Sequence, residues 1–186
     1  MRSIAPEVSV VVEAEGLVLR EWRASDVPTM VELFDTEEMD RWTPLPSPFD
    51  KTVAGEYVDR AHAARCSGTL QLAITADGGE ALGEVLLFST EHDELCELAY
   101  AVGAAHRGRS LGARAVRAVL GLAARAGFGK ARLRIAVDNA ASRRVAEAAG
   151  FSLTPQPLIR RERKGYVLDM TTWERPLDGA RDFSLP

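Results

Sequence analysis

Residues 97–113 read Glu-Leu-Ala-Tyr-Ala-Val-Gly-Ala-Ala-His-Arg-Gly-Arg-Ser-Leu-Gly-Ala. A strand-like run ends, a basic turn containing glycine follows, and a helix-forming run begins. The first N–H groups of a helix have no intrahelical partner and lie at the positive end of its dipole, so such a junction suits a phosphate. Arg107 and Arg109 add positive charge, and Gly108 and Gly112 allow backbone to approach a ligand closely. The spacing excludes two generic nucleotide loops. There is no Gly-Lys-Ser/Thr ending and no Gly-x-Gly-x-x-Gly.

Arg107-Gly-Arg-Ser-Leu-Gly112 resembles the acetyl-CoA signature Gln/Arg-x-x-Gly-x-Gly/Ala of the GNAT N-acetyltransferase superfamily. The wider context resembles its RimJ/RimL-like branch. Gly83-Glu84 lies in a strand, Glu97-Leu-Ala-Tyr100 precedes the signature, and Asn139-x-x-Ser142-x-x-Val145, Ala149-Gly-Phe151 and a late Asp169 follow it. The set covers most of residues 17–176. The resemblance implies an α/β (mixed α+β) fold, with a mostly antiparallel central sheet, two splayed parallel strands and about four helices. It implies acetyl-CoA as co-substrate, no metal, and direct transfer of the acetyl group to a primary amine through a ternary complex. Backbone near Tyr100, Ala101 and Val102 would meet the pantetheine arm. Backbone amides of Arg107, Gly108, Arg109, Ser110, Leu111, Gly112 and Ala113 would hold the pyrophosphate. Asn139 would add a cofactor contact, although helix capping is its commoner role. Ser110 replaces the middle glycine of the signature. A position that needs φ > 0 would strain serine; we expect Ser110 instead in the first helical turn, where serine is unstrained and offers its hydroxyl to a phosphate.

An ammonium acceptor must lose a proton before it can attack, and a nearby carboxylate or water can take it. Glu97 is the first choice, because it shares a strand face with the small residues Ala99 and Ala101 by two-residue alternation. Glu84 is the second. The resemblance makes Ser142 the donor to the departing sulfur. Tyr100 is otherwise a core residue, and Trp42 with the neighbouring Pro-rich loop is a candidate wall of the acceptor pocket.

These groups need strands and helices to hold them. Residues 17–22, 69–75, 81–89, 95–102 and 131–137 read as strands, with a hairpin turn at Asp77-Gly78-Gly79. Helices are predicted from about Ser25 to Phe34 and over 50–65, 109–126 and 139–149. Gly127 and Gly150 sit where a left-handed cap would end the last two. Residues 158–161 and 166–174 read as a closing strand pair. Thr43 to Pro48 must be a loop, since its three prolines allow neither helix nor central strand. We expect an extension over 1–16, the transferase domain over 17–176 and a tail over 177–186.

The chain has 186 residues, 46% apolar and 27% charged, which fits one globular domain. No apolar run approaches a membrane span or a signal peptide. The isolated Cys66 and Cys96 and the three histidines show no metal-ligand or disulfide spacing, so a reducing cytoplasm is expected. Net charge is −4, but residues 1–100 balance at −13 and residues 101–150 at +8. The basic segment is the one assigned to a polyanionic cofactor, and the acidic half favours a cationic acceptor. The acceptor stays open among a protein N-terminus, an amino acid, a polyamine and an aminoglycoside-like amine. Propionyl or succinyl donors stay open too. Arg160-Arg-Glu-Arg-Lys164 reads as a hairpin turn rather than a nucleic-acid contact in an acidic protein. A homodimer is the commonest assembly. The alternatives are a non-catalytic acyl-CoA sensor or assembly module and a nucleotide-binding module.

Overall fold

The computed structural model describes residues 10–177. Nine strands form one sheet: β1 (Val11–Ala14), β2 (Leu17–Glu21), β3 (Thr69–Thr75), β4 (Ala81–Ser89), β5 (Leu95–Val102), β6 (Lys130–Ala136), β7 (Ser152–Leu153), β8 (Ile159–Arg163) and β9 (Tyr166–Pro176). Their spatial order is β1-β2-β3-β4-β5-β6-β9-β7, and β8 also pairs with β9. Only β5 and β6 run parallel; every other pair is antiparallel. The five α-helices are α1 (Val27–Phe34), α2 (Glu37–Trp42), α3 (Lys51–Ala64), α4 (Leu111–Arg125) and α5 (Ala140–Ala148). This is the mixed α/β, mostly antiparallel architecture expected, with five helices where about four were counted. No helix among the described residues is long and apolar enough to cross a membrane.

Alternation on the strands separates two cores. Leu72, Val85, Leu87, Leu98, Leu133 and Trp173 face α4, which buries Leu111, Ala115, Val116, Val119 and Ala123 at helical spacing. Ala73 and Ala81 on the other face pack with Trp22, Met30, Phe34, Phe49 and Val58 of the α1–α3 layer. The rings of Trp22, Phe34, Phe49 and Tyr57 follow one another edge to face at 5.6–6.0 Å.

Both predicted glycine caps form. After α4, Gly127 has φ +87 and donates to Ala124 O at 3.0 Å, while Phe128 donates to Ala123 O at 3.1 Å. After α5, Gly150 has φ +79 and donates to Glu147 O, while Phe151 donates to Ala146 O, both at 2.9 Å. These paired bonds satisfy carbonyls that a helix end otherwise leaves orphaned, and they turn Phe128 and Phe151 into the core.

Four expectations change. The sheet begins at Val11 rather than Leu17, because Val11–Ala14 pair with Arg20–Leu17 as an edge strand. The β1–β2 turn is pinned from α4, where Arg114 donates to Glu15 O and Gly16 O and Arg117 pairs with Glu15. A four-residue strand holds only by such contacts, so its pattern is weak in isolation. At the other end Leu177 is buried and donates to Gly129 O at 2.8 Å, and residues 178–186 of the expected tail lie outside the described residues. The segment before the Pro-rich loop is helix α2, with Thr36 Oγ1 accepting from Met39 N at 3.2 Å. Six residues are too few for a helical period to be read. Ser110, finally, is not in the first turn. It stands at the N-cap of α4 with φ +55 and ψ +19, and its side chain makes no cap bond. That left-handed backbone crowds a Cβ, at a cost of about 1–2 kcal/mol for a residue other than glycine.

The α1–α3 layer is anchored to the sheet through Arg20. Its guanidinium donates to Asp26 Oδ2 at 2.7 Å and Oδ1 at 2.8 Å, and to the carbonyls of Gly78, Gly79 and Glu21. All five donors are thereby used, joining β2, the entry to α1 and the β3–β4 turn. Arg20→Leu is expected to lower unfolding free energy by about 3 kcal/mol or more, since it leaves Asp26 buried without its charge partner. Ser110→Gly is expected to raise it by about 1 kcal/mol. Urea titration followed by circular dichroism checks both.

Candidate active site

The β5–β6 ladder runs in register from Leu95↔Lys130 to Leu98↔Leu133 and then stops, although both strands continue. Beyond that point β5 stays with β4 through Gly83↔Val102, and β6 stays with β9 through Ala136↔Met170. The strands part, and a cavity of about 1030 Å³ opens between them. It reaches the start of α4 and the first turn of α5 on one face of the sheet. On the other it reaches Tyr57, Glu84 and the α2 loop. Ala99 to Val102 lie along the open edge, so the strand offers backbone hydrogen-bonding groups to whatever enters.

On the first face, the amides at the start of α4 have no helical carbonyl to bond, and no side chain caps them. Gly108 has φ +76, with open space where a Cβ would stand. A Cβ on Gly112 would meet the Tyr100 ring at 3.3 Å and Val145 at 3.5 Å, so this glycine leaves room for the ring. Leu111 and Ala113 send their side chains into the core, leaving only backbone for a ligand. This junction fits the diphosphate of a CoA molecule: uncapped amides, an open glycine turn and a basic neighbourhood. The basic segment does more than that, however. Arg107 pairs with Glu38 at 2.6 Å and also donates to Val102 O at 3.3 Å. Arg117 pairs with Glu15, Lys130 with Glu174, and Arg132 and Arg134 with Glu97. Arg109, Arg143 and Arg144 make no ion pair among the described residues, and Arg144 lines the cavity.

Tyr100 and Ser142 meet across the gap. Their hydroxyl oxygens are 2.6 Å apart, and Tyr100 Oη is 3.1 Å from Ser142 O. Burial pushes the phenol up to about 12, against the smaller opposing effect of Ser142, so it stays protonated at neutral pH. Two arrangements satisfy the pair. When Tyr100 donates to the main-chain carbonyl, Ser142 donates to Tyr100; when Tyr100 donates to Ser142 Oγ, the serine proton is free to point into the cavity. Asn139 caps α5, its Oδ1 accepting from Ser142 N at 2.9 Å, and so fixes where Ser142 stands.

The two carboxylates stand in different surroundings. Glu97 does share a face with Ala99 and Ala101, but the register puts it opposite Phe88 and beside Arg132, outside the cavity lining. Its Oε2 accepts from Arg132 Nε at 3.0 Å, Arg132 Nη2 at 2.8 Å and Arg134 Nε at 3.2 Å. The carboxylate is thus engaged by two guanidinium groups and does not face the cavity. Glu84 instead lies opposite Ala101, at the open edge, and lines the cavity although it is almost fully buried. Oε1 accepts from Trp22 Nε1 at 2.9 Å and Tyr57 Oη at 2.7 Å, and Oε2 lies 2.9 Å from Tyr57 Oη. Burial raises its pKa to about 7, outweighing the two hydrogen bonds, which favour the charged form. Sequence reasoning ranked Glu84 second and missed Trp22 and Tyr57 as its partners. The available signal was a lone carboxylate inside the apolar run Gly83-Glu84-Val85-Leu86-Leu87.

No curated protein sequence matches the chain significantly. The fold is that of Mycobacterium smegmatis RimJ in complex with CoA-disulfide, with a TM-score of 0.80, 19% identity, and 98% of this chain and 93% of that chain covered. A RimL ribosomal L7/L12 α-N-protein acetyltransferase in complex with coenzyme A superposes with a TM-score of 0.79, at 18% identity, over 91% of this chain and 99% of that one. The microcin C7 self-immunity acetyltransferase MccE, in complex with acetyl-CoA and AMP, gives 0.75 at 15% identity, over 86% and 92%. A family model described as the acetyltransferase (GNAT) domain matches residues 16–152. With that match spanning most of the sheet and both walls of the parted strands, the chain belongs to the GNAT acetyltransferase family.

Proposed function

We propose that this protein transfers an acetyl group from acetyl-CoA to a primary amine, with Glu84 as general base and Ser142, held by Tyr100, as donor to the departing sulfur. One observation carries the reading. The parting of β5 from β6 joins an uncapped helix start and a hydroxyl pair on one face to a buried carboxylate on the other. Acetyl-CoA supplies the thioester carbonyl that an amine attacks. The protein binds, deprotonates and orients around it. Amides of residues 107–113 take the diphosphate, with Arg109 and Arg144 free to add charge. The open edge of β5 from Ala99 to Val102 takes the pantetheine amides and offers an N–H to the developing oxyanion.

On the other face, Glu84 accepts the ammonium proton. A carboxyl at about 7 is half ionised at neutral pH, and its conjugate acid gives the proton up again between turnovers. Tyr57 and Trp22 fix the orientation of the carboxylate. Ser142 gives a hydrogen bond to the sulfur while Tyr100 donates to Ser142 Oγ. Two free cysteines, Cys66 exposed and Cys96 buried, agree with a reducing compartment such as the cytoplasm.

Calorimetric titration is expected to show saturable acetyl-CoA binding and no comparable heat with ATP or NAD. Gly112→Asp, checked for folding, is expected to lose it, because the new side chain presses on Tyr100 and sets a negative charge among the phosphate-binding amides. Absence of acetyl-CoA binding to the folded wild type would overturn the reading.

Release of CoA in the presence of an amine tests the base. Glu84 must be ionised to act, so kcat/KM is expected to rise with pH through about 7. Glu84→Gln is expected to lower kcat/KM by roughly 10²-fold and to remove that limb. Glu97→Gln is expected to retain it. A limb that survives in Glu84→Gln assigns proton removal elsewhere.

A further inference from the structure

We infer that the acceptor is a primary amine carried on a large apolar body, with no second positive charge; this rests on the acetyl-transfer reading above. The wall of the acceptor half carries the argument. Trp42 and Leu45 come from the α2 loop, Leu86 and Phe88 from β4, and Leu168 and Met170 from β9. These residues of three elements line the same cavity as Glu84.

The charges of the same half are already matched. Glu38 is held by Arg107 at 2.6 Å, and Arg134 donates to Glu97 at 3.2 Å. Arg60 lines the cavity on α3 and pairs with Glu56 at 3.2 Å. Glu84 is the one lining carboxylate not tied to an arginine among the described residues. It can meet one ammonium. A polyamine or an aminoglycoside brings further ammonium groups into a wall of indole, phenyl and aliphatic surface. Each of them would lose water without gaining a counter-charge. An aromatic or branched aliphatic monoamine exchanges water for apolar contact instead. Of the acidic residues in the first hundred, Glu38 and Glu84 reach the cavity, and Glu38 is already paired. Others are held in ion pairs away from the cavity lining, such as Asp26 with Arg20, Glu21 with Arg65 and Asp40 with Lys164.

The test compares initial rates of CoA release, with products confirmed by mass, for 2-phenylethylamine and leucinamide against spermidine and kanamycin. The apolar monoamines are expected to exceed the polycations in kcat/KM by about ten-fold or more, the equivalent of about 1.4 kcal/mol. A second carboxylate introduced as Leu86→Glu, on the same strand face as Glu84, is expected to shift the ratio toward spermidine. Spermidine or kanamycin used as well as the monoamines by the wild type would overturn this inference and leave acetyl transfer standing. No turnover with any amine would overturn both, whether or not acetyl-CoA binds.

Discussion

The molecule depends on one interruption: the parallel ladder between β5 and β6 ends at Leu98↔Leu133 while both strands go on. Each strand has a better partner on its other side. β5 is paired with β4 over seven positions, from Ser89↔Cys96 to Gly83↔Val102, and β6 with β9 over seven, from Lys130↔Pro176 to Ala136↔Met170. Long antiparallel ladders hold the two halves of the sheet, and the short parallel ladder between them yields. The Tyr100 ring then occupies the wedge beside Gly112, with its hydroxyl on Ser142. Unpaired backbone inside a sheet is normally costly, and here it is the place where a ligand with amides of its own can bind.

The same geometry separates the charges. The face of α4 and α5 keeps an uncapped helix start and arginines, while the face of α2 and α3 keeps a carboxyl whose burial holds it near neutrality. Most arginines in the basic segment act structurally. They pin the β1–β2 turn, hold Glu97 and tie the signature turn to α2 through Glu38. The Arg107–Glu38 pair is half exposed, so its worth in stability is small, but it links the turn before α4 to α2 across the mouth of the cavity.

Much of the architecture was legible in the sequence. Two-residue alternation in 95–102 and 131–137 announced the central strands, and helical spacing over 111–122 announced α4. Gly127 and Gly150 announced where two helices end, because a left-handed cap is a local demand that few other residues meet. The signature turn was legible for the same reason. What failed was short or relational. β1 and α2 are four and six residues long, below one reliable period, and both exist through contacts with distant elements. Ser110 read as an ordinary first-turn serine because φ is not written in a residue's name.

The choice between Glu84 and Glu97 marks the boundary most clearly. Sequence alone determined that both carboxylates lie on strands and that Glu97 shares a face with Ala99 and Ala101, because alternation is a property of one strand. Only the tertiary structure decided which carboxylate borders the gap. That depends on the β4–β5 register, which puts Glu84 opposite Ala101, and on the β5–β6 register, which puts Glu97 beside Arg132. It depends as well on Trp22 and Tyr57, which lie 62 and 27 residues from Glu84 and arrive there by folding. Register and burial belong to pairs of segments, so no single segment encodes them, and the ionisation of a carboxyl follows from both.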